Sequence, residues 1–299
     1  PVPLADEYHG EPGASSLRWP GECHLEKPGT DVLVIGDACS PGDLPVTTLD
    51  VAVAVAGRDK RVRVHGDRHW TEGVGGLRPS RPATFVRVPL VYERAFGGCE
   101  PSFDDAAPVD TRNPVGRGFL GRADPRLLLG HPVPNIEDPQ QPLSQLGQTP
   151  PPAGFGPIAP TWAPRLGYAG TYDRRWQENR APYLPTDFDP RFFNIAPAEL
   201  IFPAGLRGGE PVRLVGLHPR GPLSFDLPRC GLECDVTIAG ARQRVELRLD
   251  TVLIEPSQAR MAMTWRAQLA VDNRLLRVEQ VDIGLASLEG AVEAGGPSA

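Results

Sequence analysis

The chain has 299 residues, 40% hydrophobic and 23% charged, close to ordinary globular usage, so it can bury a core. Its 33 glycines and 35 prolines, together about 23% of the residues, argue against a mostly helical protein, because both weaken helix interiors. The net charge of −6 speaks against a dominant nucleic-acid role, even though all basic residues but Lys27 and Lys60 are arginine.

No apolar run approaches the roughly 18 residues needed to span a bilayer. No basic-then-apolar leader opens the chain, and Pro1 is not a natural start, so residues upstream are expected. Five cysteines, odd in number and sparse, point to a reducing compartment.

Residues 1–98 read as a β region. Thr30–Gly36 is a compact apolar strand. Leu49, Val51, Val53 and Val55 alternate with Asp50, Ala52 and Ala54, and Gly57-Arg58-Asp59 turns the chain into Arg61–His65, which predicts a hairpin. Phe85–Glu93 is a further strand, limited by Pro89. His65 and His69 do not form a zinc pair there, because four strand residues span about 13 Å. The basic stretch Arg58, Lys60, Arg61 and Arg63 reads as a solvated face of the hairpin.

Residues 99–165 hold 14 of the 35 prolines and read as loop, with a short helix at Asp124–Leu129. Gly116-Arg-Gly-Phe-Leu-Gly121 matches the dinucleotide fingerprint in letters only. Pro114 stands where a strand should end, and Pro125 interrupts the helix that should receive the phosphates. No Walker lysine and no nucleophile elbow is present.

Residues 166–285 read as a second β region, continuous with the first or separate from it. It opens in an aromatic stretch: 9 of the chain's 20 Phe, Trp and Tyr residues lie between Trp162 and Phe202. Asp173–Arg180 predicts two helical turns, and Asp189-Pro190 the cap and first residue of a turn over Arg191–Asn194. Beyond them Val212–Leu217, Leu223–Leu227, Asp235–Ile238 and Arg244–Leu249 alternate as strands, and Thr251–Glu255 pairs with Arg260–Leu269. In that last arm Met261, Met263 and Trp265 share a core-facing side. Arg277–Ile283 adds a final strand, and residues 286–299 form a small-residue tail expected to be disordered. The fold class is therefore all-β, with mainly antiparallel sheets in a sandwich- or barrel-like arrangement, long Pro/Gly-rich loops and a few short helices.

Asp187 and Asp189 flank Phe188 beside Tyr183, Phe192 and Phe193, which suggests an aromatic sugar cleft with two acids. The plainer reading makes Asp189 a turn cap and pairs Asp187 with Arg180 or Arg191.

Several motifs occur in a characteristic order: Ala5-Asp-Glu-Tyr-His-Gly10, Ser15-Ser-Leu-Arg-Trp-Pro20, Lys27-Pro-Gly-Thr-Asp-Val-Leu-Val34 and Pro89-Leu-Val-Tyr-Glu-Arg-Ala-Phe-Gly-Gly98. Asn113-Pro-Val-Gly-Arg-Gly-Phe119, Arg180-Ala-Pro-Tyr-Leu-Pro185, Asp187-Phe-Asp-Pro-Arg-Phe-Phe-Asn194 and Met263-Thr-Trp-Arg266 follow. Over nearly the whole chain they resemble the domain of unknown function 2169 family, encoded beside type VI secretion effectors in Gram-negative bacteria. The resemblance implies a cytoplasmic adaptor or chaperone, not an enzyme. It would hold a toxic effector and help load it onto the secretion spike or its tip protein, without cofactor, metal, nucleic acid or membrane. The family supplies no catalytic residues.

Partner-binding surfaces are enriched in aromatics and arginine. The loop setting and the matched motifs make Arg94, Phe96, Trp176, Arg180, Tyr183, Asp187 and Asp189 the expected contact residues. A glycan-binding β module and a hydrolase using Asp187 and Asp189 are the alternatives.

Overall fold

The computed structural model describes residues 3–101, 107–269 and 278–290. Its three larger sheets are built from strands β1 (Thr30–Val34), β2 (Thr48–Val55), β3 (Arg58–His65), β4 (Ile136–Glu137), β5 (Ile201–Phe202), β6 (Pro211–Val215), β7 (Leu223–Asp226), β8 (Arg229–Ile238), β9 (Ala241–Val245), β10 (Arg248–Glu255), β11 (Arg260–Arg266) and β12 (Val278–Glu289). The five-stranded sheet runs β4-β3-β2-β6-β7, the four-stranded sheet β5-β1-β10-β11, and the three-stranded sheet β9-β8-β12. The fold is all-β with short helices, and none of these sheets closes into a barrel.

The expected hairpin of β2 and β3 forms, with Leu49 opposite Val64 and Val51 opposite Val62, and its second strand starts at Arg58, so Arg58 and Asp59 are paired strand rather than turn. Its alternation buries Val51, Val53, Val55, Val62 and Val64 on one face. Strands β1 and β10 behave differently. They are the parallel pair of the four-stranded sheet and are buried nearly throughout, which is why Val32-Leu33-Val34 and Val252-Leu253-Ile254 read as continuous apolar runs. Both large sheets contribute to one core, and Met261, Met263 and Trp265 of β11 pack against it.

Three expectations shift in detail. Arg244–Leu249 is two elements: β9 ends at Val245, and the chain then leaves the three-stranded sheet to start β10 at Arg248. Phe85–Glu93 keeps only Arg87–Pro89 as strand, paired with Asp37–Cys39, before a 3-10 turn at Tyr92–Arg94. The final strand, β12, runs on through Ser287 to Glu289, residues expected in a tail, because β8 supplies partners along that length. Arg277 and residues 291–299 lie outside the described residues.

Residues 107–165 are mostly irregular yet carry buried Val133, Ile136, Leu143, Ala153, Phe155, Ala159 and Trp162. Backbone hydrogen bonds outside regular strands, such as Phe119 N to the Gly97 carbonyl and Val133 N to that of Arg68, hold the segment, and side chains add to them. Asn113 Nδ2 donates to the carbonyls of Tyr92 and Phe96 at 2.8 and 2.9 Å, and Asn135 Nδ2 to that of His65 at 3.1 Å. Gly97, at φ 144°, presses against Asn113 where a Cβ would collide. Gly118 of the fingerprint-like stretch pairs with Gly97 in a short parallel ladder, a structural use of that glycine.

Candidate protein-binding surface

Residues 158–195 form a lobe of short turns held by arginine and aromatic stacking. Arg165, buried, donates Nε to the Phe192 carbonyl at 3.0 Å, and its guanidinium lies 5.1 Å from the Phe192 ring centre. Burial pushes that guanidinium down to about 10. Trp162 meets Tyr92 edge-on at 5.5 Å, fixing the lobe's start to the core. At its far end Phe188, Phe192 and Phe193 pack mutually with centroids 5.2–5.9 Å apart.

The one α-helix of the described residues, α1 (Arg174–Asn179), starts where Asp173 accepts the Trp176 amide at 2.8 Å. Trp176 donates its indole N–H to the Tyr183 carbonyl at 2.8 Å, and Arg180 donates Nε to that of Leu184 at 2.9 Å. Tyr172 stands edge-on to Trp176 at 4.7 Å. The helix and the 180–184 loop are thus cross-braced, while Tyr172 and Tyr183 are 52% and 68% exposed on a segment that also exposes Arg174, Arg175 and Arg180.

Asp187 accepts the amide and hydroxyl of Thr171 at 3.1 and 2.7 Å. Asp189 caps the Pro190–Phe193 turn, accepting Arg191 N and Nε, both at 2.9 Å. The Thr171 hydroxyl holds Asp187 below the usual carboxylate range, and the Arg191 side chain does the same for Asp189. Asp187 therefore pairs with Thr171 rather than with either expected arginine.

Of the seven expected residues, Trp176, Arg180, Tyr183, Asp187 and Asp189 lie on this lobe. Arg94 sits elsewhere, half-buried, with Nη1 3.2 Å from Asn135 Oδ1. Phe96 is 2% exposed and packs with Trp70, Leu128, Val133 and Leu143 in a second core, so it offers no surface to a partner. Its loop-like neighbours concealed a buried two-residue strand paired with Arg117-Gly118.

A buried ion network behind the lobe has no counterpart among the expected sites. Lys27 Nζ reaches Asp31 Oδ2 at 3.0 Å, Asp250 Oδ2 at 3.4 Å and Thr251 Oγ1 at 2.6 Å. Asp31 also accepts Asn194 Nδ2 and the Ile195 amide, both at 2.9 Å, and so fastens the lobe's end to β1. Arg266 joins Glu22 at 2.9 Å to Asp250 at 3.3 Å, and His24 stacks on Phe193 at 5.6 Å. The one sequence signal was an aspartate inside an apolar strand, just after one of only two lysines.

Glu22, His24 and Asp250 offer ligand atoms within 4.8 Å of one another, close enough for a metal. The Arg266 guanidinium already stands among them and supplies the cation. A groove of about 510 Å³ beside this network and one of about 440 Å³ beside β3 are both lined by acids and bases together, and neither includes Asp187 or Asp189. No helix among the described residues is long and apolar enough to cross a membrane.

Fold and site together define an all-β scaffold that presents a braced, aromatic-rich loop lobe. Residues 1–266 match the model of a family described as an uncharacterized protein conserved in bacteria, DUF2169. The chain belongs to that family. No curated protein and no solved structure matches it.

Proposed function

We propose that this chain is a cytoplasmic adaptor of type VI secretion, which holds a cognate effector and helps load it onto the spike or its tip protein. The observation that carries the reading is the surface of Tyr172, Arg180 and Tyr183. These side chains are exposed on backbone held rigid by Trp176 and Arg180, so little ordering is required when a partner docks. Family membership and the ordered motifs favour the same role.

Bond-breaking by Asp187 and Asp189 is the weaker reading. A glycosidase acid needs a raised pKa, and both carboxylates are held low by hydrogen bonds within the chain.

The test is co-purification of the tagged chain with the effector encoded beside it, using wild type and Tyr172→Ala/Tyr183→Ala. Neither substituted side chain supports the core, so the variant folds, and effector affinity falls at least about tenfold, or 1.4 kcal/mol. Equal recovery with both chains rejects this surface. Recovery of no effector by wild type rejects the adaptor role.

A further inference from the structure

Strand β12 lies beyond the part of the chain that the family model matches and occupies one edge of the three-stranded sheet. Among the described residues nothing pairs with its outer edge. Edge strands of natural proteins are blunted by lysine, proline, inward-pointing charge or bulges, and the bulges of β12 lie outside its central run, residues 280–285. The 12 residues of β12 contain no lysine, arginine or proline.

The sheet is strongly two-faced. Its polar side carries the ion pairs Arg242–Asp235 at 2.9 Å and Arg244–Glu233 at 2.9 Å. The other side lines up Leu232 with Leu285, Cys234 with Ile283 and Val236 with Val281. On β12 that apolar side is uncovered: Val278, Val281, Ile283, Leu285 and Leu288 are 44–67% exposed.

These five positions are symmetric about Ile283. Val278 and Leu288 lie equally far on either side of it, and so do Val281 and Leu285. The two bulges against β8, near Glu279 and Ala286, flank an uninterrupted central run.

We propose that the chain self-associates through β12, which pairs antiparallel with β12 of a second copy about a two-fold axis at Ile283. An isologous contact requires a self-complementary surface, and this strand has one. Ile283 then faces Ile283, Val281 faces Leu285, and Val278 faces Leu288, each apolar side chain gaining a cross-strand neighbour on its open flank. The acids are accommodated as well, with Asp282 opposite Gly284 and Glu279 opposite Ser287. Slipping the register by two residues one way opposes Asp282 to Asp282, and the other way Glu279 to Glu289. A slip of one residue sends apolar side chains to the polar face. Charge and pattern therefore select one register.

The experiment is sedimentation equilibrium of the full chain over a range of concentrations. Wild type gives the mass of two chains. Ile283→Asp, which sets two carboxylates on the axis, gives the mass of one with an unchanged circular dichroism spectrum. Disulfide trapping provides a second arm in a background with Cys23, Cys99, Cys230 and Cys234 replaced by alanine, since Cys234 lies beside position 283 within one chain. There Ile283→Cys cross-links two chains on oxidation, Val281→Cys alone does not, and Val281→Cys/Leu285→Cys does. A wild-type chain that stays single at every concentration overturns the proposal, as does a dimer indifferent to Ile283→Asp. If Ile283→Asp does not fold, the cross-linking pattern decides alone, and equal trapping at positions 281 and 283 overturns the register.

Discussion

Lys27 Nζ and Asp31 Oδ2 lie 3.0 Å apart, with both side chains withdrawn from solvent. Asp31 stands in a strand buried at every position, followed by Val32, Leu33 and Val34, so its charge has no recourse to water. Lys27 answers it together with Asn194 and the Ile195 amide, and the pair connects β1, β10 and the lobe through one set of hydrogen bonds.

Removing one member of a buried pair leaves the other uncompensated, which typically costs about 3–5 kcal/mol. Lys27→Met therefore lowers unfolding stability by about that amount, read from urea denaturation. A loss of less than about 1 kcal/mol, the level of a surface pair, shows that the network is not structural.

Phe96 and Tyr183 separate packing from contact. Phe96→Ala empties the second core and costs about 3–5 kcal/mol, whereas Tyr183→Ala, at an exposed position, stays within about 0.5 kcal/mol. Thermal melts of the two variants check this. Similar melting temperatures contradict the burial assignment.

Acid weakens the fold through Glu137. Burial pushes its carboxyl upward, but the His65 hydrogen bond at 2.6 Å and the Arg68 charge outweigh that and hold it below the ordinary 4.5. Arg63 holds Asp50 low by hydrogen bonding. Burial raises Glu199, and Lys60 more than reverses that. Each folded carboxylate binds its proton less tightly than in the unfolded chain, so the stability it contributes is present above its ordinary value, 4.5 for Glu137 and Glu199 and 3.8 for Asp50, and is lost as pH falls below it. Urea midpoints followed into acid should decline over that window, with a shallower decline in Glu137→Gln. Identical slopes in the two proteins remove Glu137 from the account.

Gly29 immediately precedes β1, beside the end of its antiparallel partner β5. A Cβ there comes within 2.6 Å of the Phe202 carbonyl oxygen, and backbone cannot yield as a side chain can. Gly29→Ala forces β5 outward and costs about 1–3 kcal/mol, with hydrogen exchange accelerated at Ile201 and Phe202. Unchanged exchange at those two amides counts against the close approach.

The sequence alone determined the β hairpins and the capped Asp189-Pro190 turn, because those follow from local rules. Alternation in Leu49–Val55 and Arg61–His65 can be read without knowing what the strands face, and Asp173 and Asp189 cap whichever turn follows them. Family membership was legible in the same way, from motifs that survive as strings.

Tertiary structure decided the rest. Phe96 and Tyr183 are both aromatic residues in irregular, glycine- or proline-rich surroundings, yet one is sealed in a core and the other stands in solvent. Asp187 chose Thr171 rather than Arg180 or Arg191. Lys27, Asp31, Asp250 and Arg266, drawn from opposite ends of the chain, converge only because β1 lies parallel to β10. Burial and the pairing of distant charges depend on which segments the sheets bring together, and no short-range pattern encodes that.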